Sequence, residues 1–595
     1  MQPDIPAEEY SKRLRARELR AMRFEKLHRS LGNARLLLAV LAGIAAWLSF
    51  ERHRFSPWWL LLPVAAFVGV AVYHDRILQS RSYAERAVAV YRKGLARIED
   101  RWAGNGERGE RFHAPGHIYA ADLDLFGAGS LFELLSTCRT RMGEDKLAQW
   151  LLSTSTLQEI QERHAAVAEL QPKLDFREEL AVLGKDPRVG VHPETLLAWA
   201  ESPNGLQQLW LRWLAPMLAV VAVASAIAWA TGGAGFPFLL ILLFEGILTY
   251  GLKKRLDSVL SATEGAFENL ELLAALLARL ENEPLQAPRL QAIRKELSSH
   301  HLQGSQAIAR LRTIVQCIES RRDMMVRFLD VPLMYSVQVA YASEAWRHAH
   351  GSAVRNWLQL TGEMEALISL ATYSYEHPAD PFPEVVEGAP SFHGDDIGHP
   401  LIPSAKCIRN DVSIGGEAKV LLISGSNMSG KSTLLRAVGL NTVLAMAGAP
   451  VRARRLQLTL LHVGASIRVN DSLQEGNSRF YAEILRLRQI YDLAAQAPPL
   501  LFLLDELLQG TNSRDRRIGA EGIVQAMLER GAIGMISTHD LALTDIDGSQ
   551  IGRIHNVHFQ DELVNGRMRF DFKLREGVVT KSNGLELMRA IGLKV

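Results

Sequence analysis

The most chemically explicit stretch of this chain is Gly425-Ser426-Asn427-Met428-Ser429-Gly430-Lys431-Ser432-Thr433. Its spacing is G-x-x-x-x-G-K-[ST]. The apolar run Leu421-Leu422-Ile423 leads into it and a helical pattern starts at Leu434. Strand before and helix after is the context that a phosphate-binding loop, or P-loop, requires. The glycines let the backbone curl so that its N–H groups point at phosphate oxygens. The positive end of the following helix lies under the same phosphates. Lys431 would reach the β- and γ-phosphates of a nucleotide, and Ser432 would hold Mg²⁺.

Two further strand ends carry matching chemistry. Leu501-Phe502-Leu503-Leu504-Asp505-Glu506 reads as a buried strand ending in two acids, about seventy residues after the loop. Asp505 is placed to hold Mg²⁺ through water, and Glu506 to polarise the attacking water. Ala532-Ile533-Gly534-Met535-Ile536-Ser537 reads as a third strand and ends in Thr538-His539-Asp540, where His539 is a candidate sensor of the γ-phosphate. Between the first two motifs, Asp471-Ser472-Leu473-Gln474-Glu475-Gly476-Asn477-Ser478 leads into a helix through Leu485 and Leu487. Ser478 is either a plain N-cap or a group that offers hydroxyl and backbone N–H to a phosphate on a second subunit.

The elements that must hold these residues fill only part of the chain. At 595 residues it is too long for one core, and length suggests about four domains. The net charge of +2 gives no global field that argues for nucleic acid. Charged residues are 22% and hydrophobic residues 48%, as expected of a folded protein with some membrane content. Cys138, Cys317 and Cys407 are far apart and lack metal spacing, so they read as packing thiols in a reducing compartment.

Residues 1–33 form a basic segment in which Lys12, Arg13, Arg15, Arg17, Arg20 and Arg23 alternate with Leu14, Leu19 and Met22. This reads as an amphipathic helix, either plainly solvated or, as the apolar stretch after it favours, lying on anionic lipid. Residues 34–75 read as a hydrophobic hairpin: an uncharged arm from Leu36 to Phe50, a polar break at Glu51–Arg54, and a second arm from Phe55 to Tyr73. A helix and linker follow over 76–128, then a helical stretch over 129–208. A second apolar hairpin occupies 209–251, with its turn at Thr231–Pro237 and Lys253-Lys254-Arg255 directly after it. Basic residues flank both hairpins, so the positive-inside rule puts both ends in the cytoplasm. The expectation is a multi-pass protein of the inner (cytoplasmic) membrane with four transmembrane helices. The alternative is two helical hairpins buried in a soluble bundle. Glu245 lies in the last arm, where a carboxylate is a functional candidate; its place reads as the cytoplasmic interface. Residues 252–376 are helical, with a core stripe at Leu270, Leu272, Leu273, Leu276, Leu277 and Leu280. Prolines 378, 381, 383 and 390 break the helical pattern, and 377–595 alternates strands and helices as an α/β domain.

Taken together, Gly425–Thr433, Asp471–Glu483, Leu504–Thr511 and Ser537–Asp540 resemble the ATPase domain of the DNA mismatch-repair MutS family. Asn556-Val557-His558 and Gly577–Gly584 resemble that family's C-terminal blocks, and Gly398-His399-Pro400 and Asn410-Asp411 its entry. Residues 129–180 resemble the start of its helical core and lever, which about 251–375 would complete. The resemblance implies an ABC-type P-loop domain on an all-α lever, working as a homodimer with two composite ATP sites that use Mg²⁺. Gly425, Asn427, Met428, Ser429, Gly430, Lys431, Ser432 and Thr433 would cradle the phosphates. Asp505, Glu506 and His539 would act in cis, and Ser478 in trans. Phe572 falls where the family stacks a ring on adenine; a second aromatic is expected near Cys407-Ile408, and neither is aromatic.

Other departures lie earlier. Residues 1–128 leave no room for the family's mismatch-reading domain with its Phe-x-Glu wedge. Phe176-Arg177-Glu178 has those letters but sits in a charged helical segment, where the match reads as coincidence. The expectation is a membrane-anchored MutS-like ATPase, an ATP-dependent dimer that binds DNA and is related to mismatch repair by this resemblance, with these departures telling against mismatch recognition itself. The alternative is a membrane scaffold or transport-coupled ATPase with no DNA role.

Overall fold

The computed structural model describes residues 5–50, 56–114, 116–183, 193–203, 205–206, 210–265, 270–298, 303–426, 428–468, 479–540, 543, 553–564 and 567–579. The polar break Glu51–Arg54, Asn427, the segment Asp471–Ser478 and the block 580–584 lie outside the described residues. The chain divides into two compact units. One takes in 1–137, 147–178 and 367–595; the other takes in 138–146 and 179–366.

The helices are α1 (Ile5–Phe50), α2 (Leu61–Ile98), α3 (Leu131–Leu135), α4 (Arg141–Leu152), α5 (Leu157–Leu170), α6 (Leu174–Val182), α7 (Pro193–Ala200), α8 (Leu211–Ala230), α9 (Phe236–Gly265), α10 (Leu270–Asn282), α11 (Pro288–Leu297), α12 (Gly304–Ser320), α13 (Met324–Leu329), α14 (Tyr335–Glu376), α15 (Lys431–Ala447), α16 (Arg479–Leu493) and α17 (Ser513–Glu529). The strands are β1 (Glu384–Val386), β2 (Phe392–Ile397), β3 (Asn410–Ile414), β4 (Val420–Ser424), β5 (Arg455–Thr459), β6 (His462–Ser466), β7 (Leu500–Asp505), β8 (Ile533–Thr538), β9 (Ile554–Val564) and β10 (Arg567–Glu576).

In the first unit a six-stranded sheet runs in the order β10-β9-β4-β8-β7-β6. Strands β6, β7, β8, β4 and β9 are parallel, and β10 returns antiparallel to β9. The central strands are unbroken apolar runs because helices cover both faces of such a sheet. Leu500, Phe502 and Leu504 of β7 pack with Ile490 of α16 and with Val524 and Met527 of α17. A second sheet of order β1-β5-β2-β3 forms the entry to this α/β region.

The same unit holds the hairpin α1–α2. The basic segment and the first apolar arm are one continuous 46-residue helix. Arg13 and Arg17, read from sequence as facing lipid, are used inside the protein instead: Arg13 pairs with Asp175 at 2.6 Å and Arg17 with Glu178 at 2.7 Å. Tyr10 stacks on Tyr375 at 5.4 Å, and Arg97 grips Glu376 with two bonds of 2.6 Å. Gly94 is required there, since a Cβ would lie 2.6 Å from the Tyr10 ring. Farther along the hairpin, His28 meets His74 at 2.7 Å and Arg35 meets His74 at 3.2 Å, a polar rung between the two arms. Phe176 is buried and Glu178 is bonded to Tyr91 and Arg17, so the Phe-x-Glu letters serve packing.

In the second unit the expected leucine stripe of α10 is core: Leu270, Leu272, Leu273, Leu276, Leu277 and Leu280 are all buried. Helix α8 buries Leu211, Ala215, Ala219 and Ala222, a face of small side chains that lets a neighbour come close. Glu245 of α9 is 0% exposed. It precedes Lys253 by eight residues, about 12 Å of helix. Its side chain is thus covered by neighbours in the second unit, which its sequence position did not show. Both its carboxylate oxygens, and the hydroxyl of Thr249 one turn on, have no hydrogen-bond partner among the described residues.

Four helical segments, Ile5–Phe50, Trp58–Ile98, Leu211–Ala230 and Phe236–Thr263, are long and apolar enough to cross a membrane. At most 17% of the apolar window of any of them is buried within this chain.

Candidate functional site

Three parallel strands bring the expected residues to one edge of the six-stranded sheet. The register pairs Ser424 of β4 with Thr538 of β8, and Asp505 of β7 with Ser537 of β8. The loop after β4, the acids after β7 and the histidine after β8 therefore meet at the carboxyl ends of neighbouring strands, where open α/β sheets place ligands.

After β4 the chain turns through Gly425 and Gly430, which has φ +103° and caps α15. A side chain at Gly430 would be strained and its Cβ would lie 3.1 Å from the Phe572 ring. Lys431 opens α15 and is nearly buried. Its Nζ donates to the carbonyls of Gly425 at 2.9 Å and Ser426 at 2.8 Å, which closes the loop. Burial lowers the lysine's pKa, opposed by Glu506 and Asp505. The hydroxyls of Ser426 and Ser429 are buried without a hydrogen-bond partner among the described residues. Met428 stands out at the rim, 85% exposed. A cavity of about 340 Å³ is lined by Met428, Gly430, Lys431, Ser432, Asp505 and Glu506, together with Thr433 and Phe572.

The two acids are held by groups that spacing alone did not reveal. Ser537 donates its hydroxyl to Asp505. The Glu506 N–H donates to the Ser537 carbonyl at 3.1 Å and to its hydroxyl at 3.2 Å. Glu506 itself sits at φ +51°, a left-handed step that costs strain in a non-glycine residue. Its carboxylate accepts from the Gln509 amide and lies 3.3 Å from His539 Nδ1. The buried carboxylate of Glu483 on α16 accepts the N–H of Leu508 at 2.6 Å, which ties that helix to the turn after β7.

Phe572 lines a second cavity of about 230 Å³, together with Ile397, His399, Cys407, Ile408 and Phe559. The ring is placed by a left-handed step at Phe572, φ +55°, in an irregular stretch of the β9–β10 ladder. Asn410 fixes that step from β3: its side chain donates to the Phe572 carbonyl at 3.0 Å and accepts the Leu574 N–H at 2.8 Å. Cys407 and Ile408 are on the cavity wall where a second ring was expected, and neither supplies one. His399 is pushed down to about 4 by burial and by Arg436, so it lines the cavity uncharged.

One buried carboxylate ties this region to the residues ahead of α3. Asp122 accepts the N–H groups of Ile467 and Arg468 at 2.7 Å each and pairs with Arg486 of α16 at 3.2 Å. Arg436 of α15 donates to the Asp122 carbonyl at 3.0 Å. Nothing in the local sequence marked Asp122, because its partners lie more than 300 residues away. Ser478 and Asn427 are outside the described residues.

The residues present suit a nucleotide phosphate chain with a divalent cation: a buried lysine, two unpartnered loop hydroxyls and an aspartate beside the loop. Residues 421–594 match the family described as MutS domain V, and residues 118–188 match MutS domain III. The chain is 35% identical over 203 residues to a protein named Endonuclease MutS2 from Thermus thermophilus, covering 33% of this chain and 25% of that protein. It is 31% identical over 268 residues to the DNA mismatch repair protein MutS of Brevibacillus brevis, covering 43% and 30%. With DNA mismatch repair protein MutS 2 of Halobacterium salinarum it shares 30% identity over 234 residues, covering 39% and 27%. The matched part thus spans between 25% and 30% of the length of these curated relatives. Domains III and V are thus matched in family order, and the site residues of the second matched region gather at one sheet edge, so these two regions of the chain are similar to MutS domains.

Proposed function

We propose that the protein is a membrane-anchored ATPase that works as a homodimer and acts on DNA. The observation that carries the reading is the meeting of Lys431 and its loop with Asp505, Glu506 and His539 at one sheet edge. ATP is the substrate, with its phosphates in the cavity around Lys431 and its base in the cavity beside Phe572. Ser432 and Asp505 would hold Mg²⁺, which supplies charge compensation on the phosphate oxygens. Lys431 leaves its loop carbonyls to meet the β- and γ-phosphates. Glu506 orients the attacking water, with Gln509 and His539 fixing the carboxylate and His539 facing the γ-phosphate side. Products are ADP and phosphate.

Ser478 completes the site of the neighbouring chain, so each dimer has two shared sites. The two hairpins span the inner membrane with the ATPase region in the cytoplasm. The DNA role rests on relatives whose names place them in mismatch repair; mismatch reading itself is not part of the proposal. The apolar hairpins favour a second reading, a membrane scaffold or transport-coupled ATPase.

ATP turnover by the full-length protein in liposomes tests the first claim, and absence of turnover by the wild type defeats it. Mixing Ser478→Ala chains with Lys431→Ala chains tests the shared sites: heterodimers recover one working site if Ser478 acts in trans, and none if it acts in cis. Duplex binding that falls steeply with salt supports the DNA role. No binding at low salt, with or without ATP, leaves the scaffold reading. Cell fractionation that leaves the protein in the soluble fraction would defeat the anchoring.

A further inference from the structure

The short helix α13 joins α12 to α14 and carries an exposed apolar cluster. Met324, Met325 and Phe328 are 75%, 77% and 78% exposed, and Leu329 is 46% exposed. Soluble surfaces seldom gather such side chains without a partner. The turn is braced on both sides. The Asp330 carboxylate accepts the N–H of Ser336 at 2.7 Å and its hydroxyl at 2.9 Å. The Tyr335 hydroxyl pairs with that of Ser320 at 2.9 Å and donates to the Cys317 carbonyl at 3.0 Å. The apolar side chains are thus held outward by built structure.

The height of α13 along α9 follows from its flanks. Ile318 before it and Met334 after it pack in one apolar cluster with Leu252, Leu256 and Leu260 of α9. Arg321 reaches Asp257 of α9 at 3.5 Å. Asp257 lies five residues past Leu252, where the apolar run of α9 ends, about 7 Å along the helix. The headgroup layer on each side of a bilayer is about 5–8 Å deep. A bilayer that accepts the α8–α9 hairpin therefore brings its headgroups level with α13 and with Lys253, Lys254 and Arg255. Here Arg321, Arg322 and Arg327 line an open cavity of about 320 Å³ with Ile318, Val326 and Asp330. Guanidinium groups match phosphate oxygens in geometry as well as charge, and the single carboxylate is occupied by Ser336.

We propose that α13 is a membrane-surface anchor specific for anionic phospholipid. Met324, Met325, Phe328 and Leu329 enter the boundary between headgroups and acyl chains, and the arginines take a lipid phosphate. This attachment rests on the reading that α8 and α9 cross the bilayer. It adds an interfacial contact beside the hairpin, of the kind in which apolar burial and basic charge act together.

The test is photocrosslinking of the full-length protein in vesicles, with a phospholipid whose photoreactive group lies near the glycerol backbone or deep in the acyl chain. Adducts are mapped by mass spectrometry. In phosphatidylglycerol–phosphatidylethanolamine vesicles the shallow probe is expected to label 324–329 and the deep probe 236–250. The triple variant Arg321→Gln, Arg322→Gln, Arg327→Gln should lose roughly tenfold or more of the adducts on α13. Its adducts on 236–250 should stay at the wild-type level, which shows that it is folded and inserted. Adducts on 236–250 with none on 324–329 overturn the anchor and leave the hairpin reading standing. No adducts on either defeat the hairpin reading itself. Equal labelling of α13 in pure phosphatidylcholine overturns the specificity for anionic lipid, and equal labelling in the triple variant overturns the contact between the arginines and the lipid phosphate.

Discussion

The carboxyl edge of the six-stranded sheet and the α8–α9 hairpin both bury charge, and they treat it differently. At the sheet edge each acid has a partner: Ser537 for Asp505, and Gln509 and His539 for Glu506. Lys431 is satisfied by two carbonyls until a ligand competes for it. In the hairpin, the buried Glu245 carboxylate and the Thr249 hydroxyl have no hydrogen-bond partner among the described residues. A partnered charge can be exchanged for a ligand at small cost, because one set of hydrogen bonds replaces another. An orphaned acid carries the full cost of lost hydration. The first arrangement suits turnover; the second stores instability in the apolar hairpin.

The comparison can be broken most directly at Glu506. Glu506→Gln keeps the shape and the neighbours but removes the charge that orients water. ATP turnover should fall roughly 100- to 10,000-fold with nucleotide binding near normal, as steady-state hydrolysis and a separate binding titration would measure. Unchanged turnover would remove Glu506 from the role.

The next effect is on pH. His399 has its ordinary value of about 6.5 when unfolded and about 4 when folded. Below 6.5 the unfolded chain binds the proton more readily, so stability falls as pH drops from 6.5 towards 4 and is complete above 6.5. The loss at the acid end is up to about 3 kcal/mol. Denaturant unfolding of wild type and His399→Gln between pH 7 and 4.5 should give a shallower acid slope for the variant. Parallel slopes would show that the cavity wall tolerates the charge.

Glu245→Leu should stabilise the second unit by about 1–3 kcal/mol, because it removes an unsatisfied buried group. Thermal unfolding in detergent would read this as a raised midpoint, and a lowered midpoint would mean that the acid has a partner in the assembled protein. The smallest effects concern the base cavity. Phe572→Ala should weaken nucleotide binding by about 1 kcal/mol, and Ile408→Phe should strengthen it by about 0.5–1.5 kcal/mol if a second ring can stack. Competition with a fluorescent nucleotide would resolve both. No gain from Ile408→Phe would place the base elsewhere in the cavity.

Much of the site was readable in the sequence because its groups sit at strand ends with local spacing. Gly425 to Thr433, Asp505-Glu506 and His539 are each announced by the apolar run before them. Their supports were not. Ser537 reaches Asp505 through the β7–β8 register, and Asn410 reaches Phe572 from a strand 162 residues away. The hairpins were visible as uncharged length. The basic face of α1 was visible too, but not the partners of Arg13 and Arg17 on it, since amphipathic periodicity marks a polar face without naming what covers it. Asp175, Glu178 and Glu376 turned out to cover part of it and of α2.

The sequence by itself determined the glycine-bounded loop between β4 and α15, the acids at the end of β7, the four apolar helices and the resemblance of two regions to MutS domains. These depend on short-range order: turns, strand ends, and runs long enough to span a bilayer. Only the tertiary structure decided that Glu245 is interior, that Asp122 ties α15 and α16 to the stretch before α3, and that α13 holds its apolar side chains outward beside three arginines. Those outcomes are set by which surfaces meet when distant segments pack, and burial and pairing across such distances leave no periodic trace in the chain.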